Sequence, residues 1–397
     1  MVGFSRRAFA TMATLLPLTP GTAAAEPAGR ADWARLAPLP PNPTEWHPAI
    51  PVGEPHWRQL GLAGPVAGAH AGHLIVAGGA NFPEPAKTSN RRNELGKVYW
   101  NDVFVMAPNG SWLPTTFRLP NSIAYSACLS TERGVLVIGG EGFPGGPSGS
   151  ALAPVRKFAE VFYLRYNSRR HAIEQEQLPP LPRPMSYGVA GIVDDVVHVA
   201  EGADFYALDL ARPGDGWRTL PTWQGDPRSV AVGAAHDGRF YLLSGRAQTT
   251  TGWQFYRDAH AYSPRRRSWR RLAELPWCVT AGLAFPGEGG LLVLGGDRDL
   301  ARWNLIQEQT ALRDREPKDS PRWHEHNDVI TWIYDHHTGF TPEVLRYDAA
   351  RNSWHTAGHF PGPPPATTPA VLWNGHPVVA SGEIRPGVRT PAVWRLG

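Results

Sequence analysis

The chain has 397 residues, a formal net charge of +4, 42 Gly, 40 Pro and 16 Trp, and only two cysteines, Cys128 and Cys278. So small a charge gives no ground for a nucleic-acid partner, and two cysteines without a CxxC pair are too few for a disulfide scaffold or a cysteine zinc site. The abundance of Gly and Pro between short apolar runs predicts short strands joined by tight turns, with long helices largely absent.

Residues 1–25 read as a Tat-type export signal. Arg6 and Arg7 follow Ser5, Phe9 and a short apolar run come next, and Ala23, Ala24 and Ala25 supply a small-residue cleavage site. The apolar run is far shorter than the roughly 20 residues of a spanning helix. Charges and prolines interrupt every later hydrophobic stretch, so the expectation is a mature chain from residue 26, periplasmic or secreted, with no membrane partner. The basic run Arg265, Arg266, Arg267, Arg270 and Arg271 reads as a solvated hairpin.

Along the rest of the chain one unit repeats six times: an apolar, β-rich run ending in a small or glycine pair. The runs are HLIVAGG to Gly79, GVLVIGG to Gly140, VVHVAEG to Gly202, FYLLSG to Gly245, GLLVLGG to Gly296 and HPVVASG to Gly382. A Trp-bearing edge strand follows in four repeats, at Trp112, Trp217, Trp269 and Trp354. Glycine ends a buried strand where a side chain would obstruct the turn, and Trp fills the wedge between neighbouring sheets. The pattern predicts an all-β fold, a six-bladed Kelch-type β-propeller over residues 26–397. The last repeat ends one strand short at TPAVWRLG, while DWARLAPLP with Trp33 is an orphan strand near the N-terminus. The two ends are therefore expected to complete one sheet. Cys128 and Cys278 fall in the second and fifth blades and are expected as free thiols. A polar insertion at about 297–341 is too long for a hairpin and predicts a lid or side lobe controlling access.

Propeller loops converge at one mouth of the channel, so polar residues at matching repeat positions can meet there. Glu383 directly follows the last inner strand and Arg389 lies beyond the Pro386-Gly387 turn, with Arg385 between them. Such a pair is either a salt bridge across a hairpin or an acid/base and anion-gripping pair. Glu141 repeats the placement of Glu383. Asn81 and Phe82 follow the first glycine pair, with Arg91, Arg92 and Lys97 in the next loop. His324, His326, His336 and His337 have spacings that match no standard zinc motif, and no metal is expected.

GGANFPE, KVYWNDVFV, VIGGEG and above all SGEIRPGVRTPAVW resemble the Kelch-propeller N-acetylneuraminate epimerases, or sialic acid mutarotases. SGEIRPGVRT lies here at the C-terminus rather than mid-chain, so the chain resembles a cyclically permuted branch, a shift that a closed ring tolerates. The resemblance implies that Glu383 serves as proton acceptor and that Arg389 binds in the same pocket, suited to grip a carboxylate. Asn81, Phe82, Lys97, Glu141 and Arg385 are the substrate-binding candidates. The implied substrate is a small acidic sugar such as N-acetylneuraminate, with no cofactor. A non-catalytic Kelch module binding a glycan or a protein is the chief rival. A copper oxidase of the galactose-oxidase type would need a Tyr, Cys and His constellation that the sequence does not assemble, and the Asp-box repeats of sialidases are missing.

Overall fold

The computed structural model describes residues 32–41, 61–82, 96–114 and 117–397. The export-signal reading of residues 1–25 and the loop residues Arg91 and Arg92 lie outside them. The described residues form a mostly β fold with six four-stranded antiparallel sheets, several two- and three-stranded sheets beside them, two α-helices and a short 3-10 turn. The first sheet shows the common plan: Val66–His70, His73–Ala77, Asp102–Met106 and Phe117–Arg118 lie in that order. Its second strand is buried on both faces, as are Gly134–Ile138 and most of Arg239–Leu243. That double burial is why the repeat reads as a continuous apolar run rather than an alternating one.

The repeat tryptophans join the sheets to one another. The indole N–H donates to Ala37 O from Trp112 (3.1 Å), to Pro179 O from Trp217 (2.8 Å), to Pro221 O from Trp269 (2.8 Å) and to Ala273 O from Trp354 (2.9 Å). Each large ring thus fills intersheet space while its one polar atom finds a carbonyl in a neighbouring unit. Trp112 departs from the expected edge strand: it makes an isolated bridge with Met106, and the fourth strand is Phe117–Arg118. Pro114, two residues on, has no N–H to continue a ladder from Trp112.

The first and last described strands meet. Trp33–Leu36 pairs antiparallel with Val393–Leu396, Trp33 opposite Leu396 and Leu36 opposite Val393. Gly382 N–H donates to Leu62 O at 2.9 Å, and Ser381 Oγ accepts from Leu62 N at 2.8 Å, stitching the last repeat to the first. Both cysteines are free thiols.

At one end of the sheets, six residues that precede the first strands take left-handed backbone angles: Gly64, Tyr125, Tyr187, Val230, Ala281 and Thr367, with φ between 48° and 64°. Their backbones hydrogen-bond in succession. Gly64 N donates to Thr367 O, Thr367 N to Ala281 O, Ala281 N to Val230 O, Tyr187 N to Tyr125 O and Tyr125 N to Gly64 O, at 2.5–2.8 Å. These bonds, which make up a girdle, give a partner to five of the six N–H groups at the turns.

The insertion is a helical hairpin. Helix α1 is Leu300–Arg313 and helix α2 is Pro321–Asp335, capped by the Asp299 and Ser320 side chains, which accept from Arg302 N and Trp323 N. Ile306, Ile330, Ile333 and Tyr334 form its small core. Among the described residues no three His, Cys, Asp or Glu side chains converge as metal ligands.

Candidate active site

A cavity of about 640 Å³ opens over the girdle. Tyr125, Tyr187, Val230, Ala281 and Thr367 form its floor, and the same five residues border a second cavity of about 330 Å³ beneath. The lower cavity is lined by the small and apolar residues of the sheets' first strands. The chemistry is concentrated in the upper one, whose lining includes Lys97, Arg246, Asp297, Glu383 and Arg389.

Glu383 and Arg389 are cross-strand partners in the hairpin Glu383–Arg385 and Val388–Arg389. Gly387 N–H donates to Glu383 Oε1 at 2.7 Å, and Thr367 Oγ1 donates more loosely to Oε2 at 3.4 Å. Arg389 Nη1 is 3.2 Å from Glu383 Oε1, with side-chain exposures of 4% and 14%. The pair is close enough to attract but not aligned as a hydrogen bond, for Arg389 Nε and Nη1 are buried without a hydrogen-bond partner among the described residues. The Phe82 ring, 4.8 Å away, supports the guanidinium from one face. Arg389 therefore keeps donors in reserve beside a carboxylate, an arrangement that can bind oxygens at a reacting centre.

Lys97 reaches the cavity with Phe82 and lies 4.6 Å from the Tyr125 ring centroid and 5.2 Å from that of Tyr99. Its ammonium donates to Tyr125 Oη at 3.4 Å and stands 3.8 Å from Glu141 Oε1. Glu141 itself is buried behind the lining. Tyr99 Oη (2.7 Å) and Tyr187 Oη (3.2 Å) donate to its Oε1, and Ser186 Oγ (2.9 Å) donates to Oε2. Burial pushes the Tyr99 and Tyr187 hydroxyls well above the usual tyrosine range, so both remain donors. Glu141 thus acts through Lys97 and Tyr187, which do face the cavity.

Asn81 and Arg385 stand outside the lining. Asn81 is buried, donating to Gly61 O and accepting from the Trp100 indole. Arg385 Nη1 donates to Asp335 O at 2.9 Å, tying the hairpin to the C-terminal end of α2, where a cation meets exposed carbonyls.

Sequence reasoning passed over Arg246 and Asp297. Both follow a glycine at the end of a second strand, as Glu141 and Glu383 do. The structure gives all four the same bridge, with Ser229, Thr280, Ala124 and Ala366 as the respective partners. Applied to every repeat, the register argument used for Glu141 would have found them. Asp297 accepts from the Trp303 indole at 2.5 Å and from Asp299 N at 2.9 Å. The buried His337 lies 3.9 Å from its Oδ2, and burial draws the imidazole below the usual histidine range. Arg246 sits with its guanidinium carbon 4.5 Å from the Trp253 ring centroid and 4.4 Å from that of Trp303. Trp303 belongs to α1, so the helical hairpin contributes directly to the cavity wall.

A family model described as N-acetylneuraminate epimerase matches residues 24–157 and 178–396. The gap takes in the strand Val161–Asn167 and most of the outer strand Ala172–Leu178 of one sheet, the unit whose edge lacks the repeat Trp. The N-acetylneuraminate epimerase of Pasteurella multocida (strain Pm70) is 26% identical over 227 residues, 55% of this chain and 58% of the relative. That of Haemophilus influenzae (strain 86-028NP) is 28% identical over 221 residues, 53% and 57% of the two chains. The chain thus spans a little over half the length of the curated relatives it matches. A solved structure described as "Structure of YjhT" aligns at 26% identity and a TM-score of 0.46, covering 55% of this chain and 67% of that one. With a family model matched across most of its length, the chain belongs to the N-acetylneuraminate epimerase family.

Proposed function

We propose that this protein is a mutarotase that interconverts the anomers of a sialic-acid-like sugar acid, N-acetylneuraminate being the reference substrate. The observation that carries the reading is the cavity placement of Glu383, with Arg389 Nη1 3.2 Å from its Oε1 and with Arg389 Nε and Nη1 lacking a hydrogen-bond partner among the described residues. Mutarotation opens the hemiketal and recloses it on the other face. A base takes the proton of the anomeric hydroxyl while the ring C–O bond breaks, and the ring oxygen receives a proton. The reverse transfers close the ring. Glu383 is the base, and Arg389 offers its N–H groups to oxygens of the anomeric centre as charge shifts onto them. No bond to carbon is lost overall, and the reaction calls for no metal or organic cofactor.

The scaffold we propose is a six-bladed Kelch-type propeller closed by the pairing of Trp33–Leu36 with Val393–Leu396. Six four-stranded sheets and the succession of backbone bonds through the girdle support it. Closure would leave no free sheet edge at the seam and hold polar residues of several repeats around one mouth. The Arg6-Arg7 pair and the alanine run support export to the periplasm or beyond.

Proton NMR of a freshly dissolved single anomer of N-acetylneuraminate tests the activity. The expected result is equilibration accelerated in proportion to protein concentration. Binding without acceleration would replace this reading with a non-catalytic glycan-binding module.

A further inference from the structure

We propose that Arg246 is the docking point for the carboxylate of the sugar acid, leaving Arg389 to work beside Glu383. This inference rests on the mutarotase reading and adds to it the residue that selects for an acidic substrate. Arg246 lines the same cavity as Glu383, from a different repeat. Its guanidinium lies close to two indole rings, Trp253 at 4.5 Å and Trp303 at 4.4 Å. Among the described residues it makes no side-chain hydrogen bond and no ion pair. The other cations of the cavity are placed differently: Lys97 has Glu141, and Arg389 has Glu383. The nearby carboxylate of Asp297 is already engaged by the Trp303 indole and Asp299 N–H.

Burial of the guanidinium is costly and pulls its proton affinity down, and the carboxylates of Asp297 and Glu383 oppose that shift from a distance, neither forming an ion pair with it. A carboxylate arriving from the cavity would relieve that cost. The aromatic contacts hold the guanidinium while its N–H donors, none of them used by the described residues, can meet a carboxylate in a bidentate pair. Arg389 is the poorer site for that group, because a substrate carboxylate there would face Glu383 across the same guanidinium, and like charges at that range repel. Trp303 comes from α1, so the helical hairpin positions the docking residue.

The test measures mutarotation of N-acetylneuraminate against concentration, with calorimetric binding of N-acetylneuraminate and of neutral N-acetylmannosamine. Arg246→Gln should raise KM and weaken N-acetylneuraminate binding by about tenfold or more, with the loss falling in KM rather than kcat and with N-acetylmannosamine binding unmoved. Arg246→Lys keeps the charge but loses the fork, should fall between, and serves if the Gln variant does not fold. Trp303→Leu should weaken the acid alone, by a smaller factor. Binding of N-acetylneuraminate by either Arg246 variant within twofold of the unaltered protein would overturn the proposal, as would equal losses for the acidic and the neutral sugar. If the unaltered protein binds N-acetylneuraminate through Arg246 but does not speed mutarotation, the catalytic reading fails and the docking assignment stands.

Discussion

Arg389 Nη1 stands 3.2 Å from Glu383 Oε1, and the two residues are direct partners across one hairpin. The same Oε1 accepts from Gly387 N–H at the turn of that hairpin. Glu383→Gln keeps the shape and an acceptor oxygen but removes the base. Anomer interconversion should fall roughly 100-fold or more, within the range of general-base catalysis, while N-acetylneuraminate binding changes little. A folded Gln variant that equilibrates the anomers at the unaltered rate would remove Glu383 from the mechanism.

Glu141 is the hub of the buried group formed by Tyr99, Tyr187, Ser186 and Lys97. Replacing it by Ala leaves three hydroxyls without their acceptor and the Lys97 ammonium without its counter-ion, so unfolding free energy should drop by about 3 kcal/mol. Glu141→Gln retains one acceptor oxygen and should recover a large part of that loss. Urea denaturation of the two variants reads the difference. Equal stability of the Ala variant and the unaltered protein would show that the hub is dispensable.

The repeat was legible in the sequence because its causes are local and recur. Apolar runs such as GVLVIGG are buried on both faces, and the tryptophans sit where an indole N–H can reach a carbonyl of a neighbouring unit. The pairing of Trp33–Leu36 with the C-terminal strand followed from a missing strand at one end and an orphan at the other. The helical hairpin was not legible as helix. It buries few side chains and leaves Leu305, Val329 and Trp332 exposed, so its apolar periodicity is weak. The cues were its caps, Asp299 and the Ser320-Pro321 step. The girdle was hidden for another reason. Tyr125, Tyr187, Val230, Ala281 and Thr367 adopt left-handed angles that ordinary side chains avoid, and hydrogen bonds between repeats help to hold them there.

Gly64 tests the girdle. Its φ is +58°, and a β-carbon added there would lie 2.3 Å from Tyr125 Cδ1 and 2.6 Å from Tyr125 N. The clash is partly with backbone, so a rotamer change cannot relieve it. Gly64→Ala should cost about 2–4 kcal/mol, combining the left-handed penalty with overpacking. It should also slow mutarotation, because Tyr125 is part of the cavity floor and its hydroxyl accepts from Lys97. A variant with unchanged melting temperature and rate would mean that Tyr125 can move aside without consequence.

His198 should make the fold acid-sensitive. The imidazole is 2% exposed, on the strand Val196–Glu201, with ring centroids of Phe205, Tyr262 and Phe240 at 5.9, 5.7 and 6.2 Å. Its Nδ1 lies 3.0 Å from Val196 O. Burial, which disfavours the charged ring, pushes its pKa from 6.5 down to about 4, against a smaller opposing effect of the Val196 carbonyl. Above 6.5 the ring is neutral whether folded or unfolded, and it adds no pH dependence. As pH falls from 6.5 towards 4, the unfolded chain takes up the proton and the folded chain does not, so stability declines and levels off below the folded value. The full loss is on the order of 3 kcal/mol. His198→Phe keeps an aromatic ring in the cluster and cannot titrate. Between pH 7.5 and pH 4.5 it should therefore lose roughly 2 kcal/mol less of its own stability than the unaltered protein loses, as read from urea midpoints. If both proteins weaken in parallel across that interval, His198 accepts its proton inside the fold, and the acid sensitivity arises elsewhere.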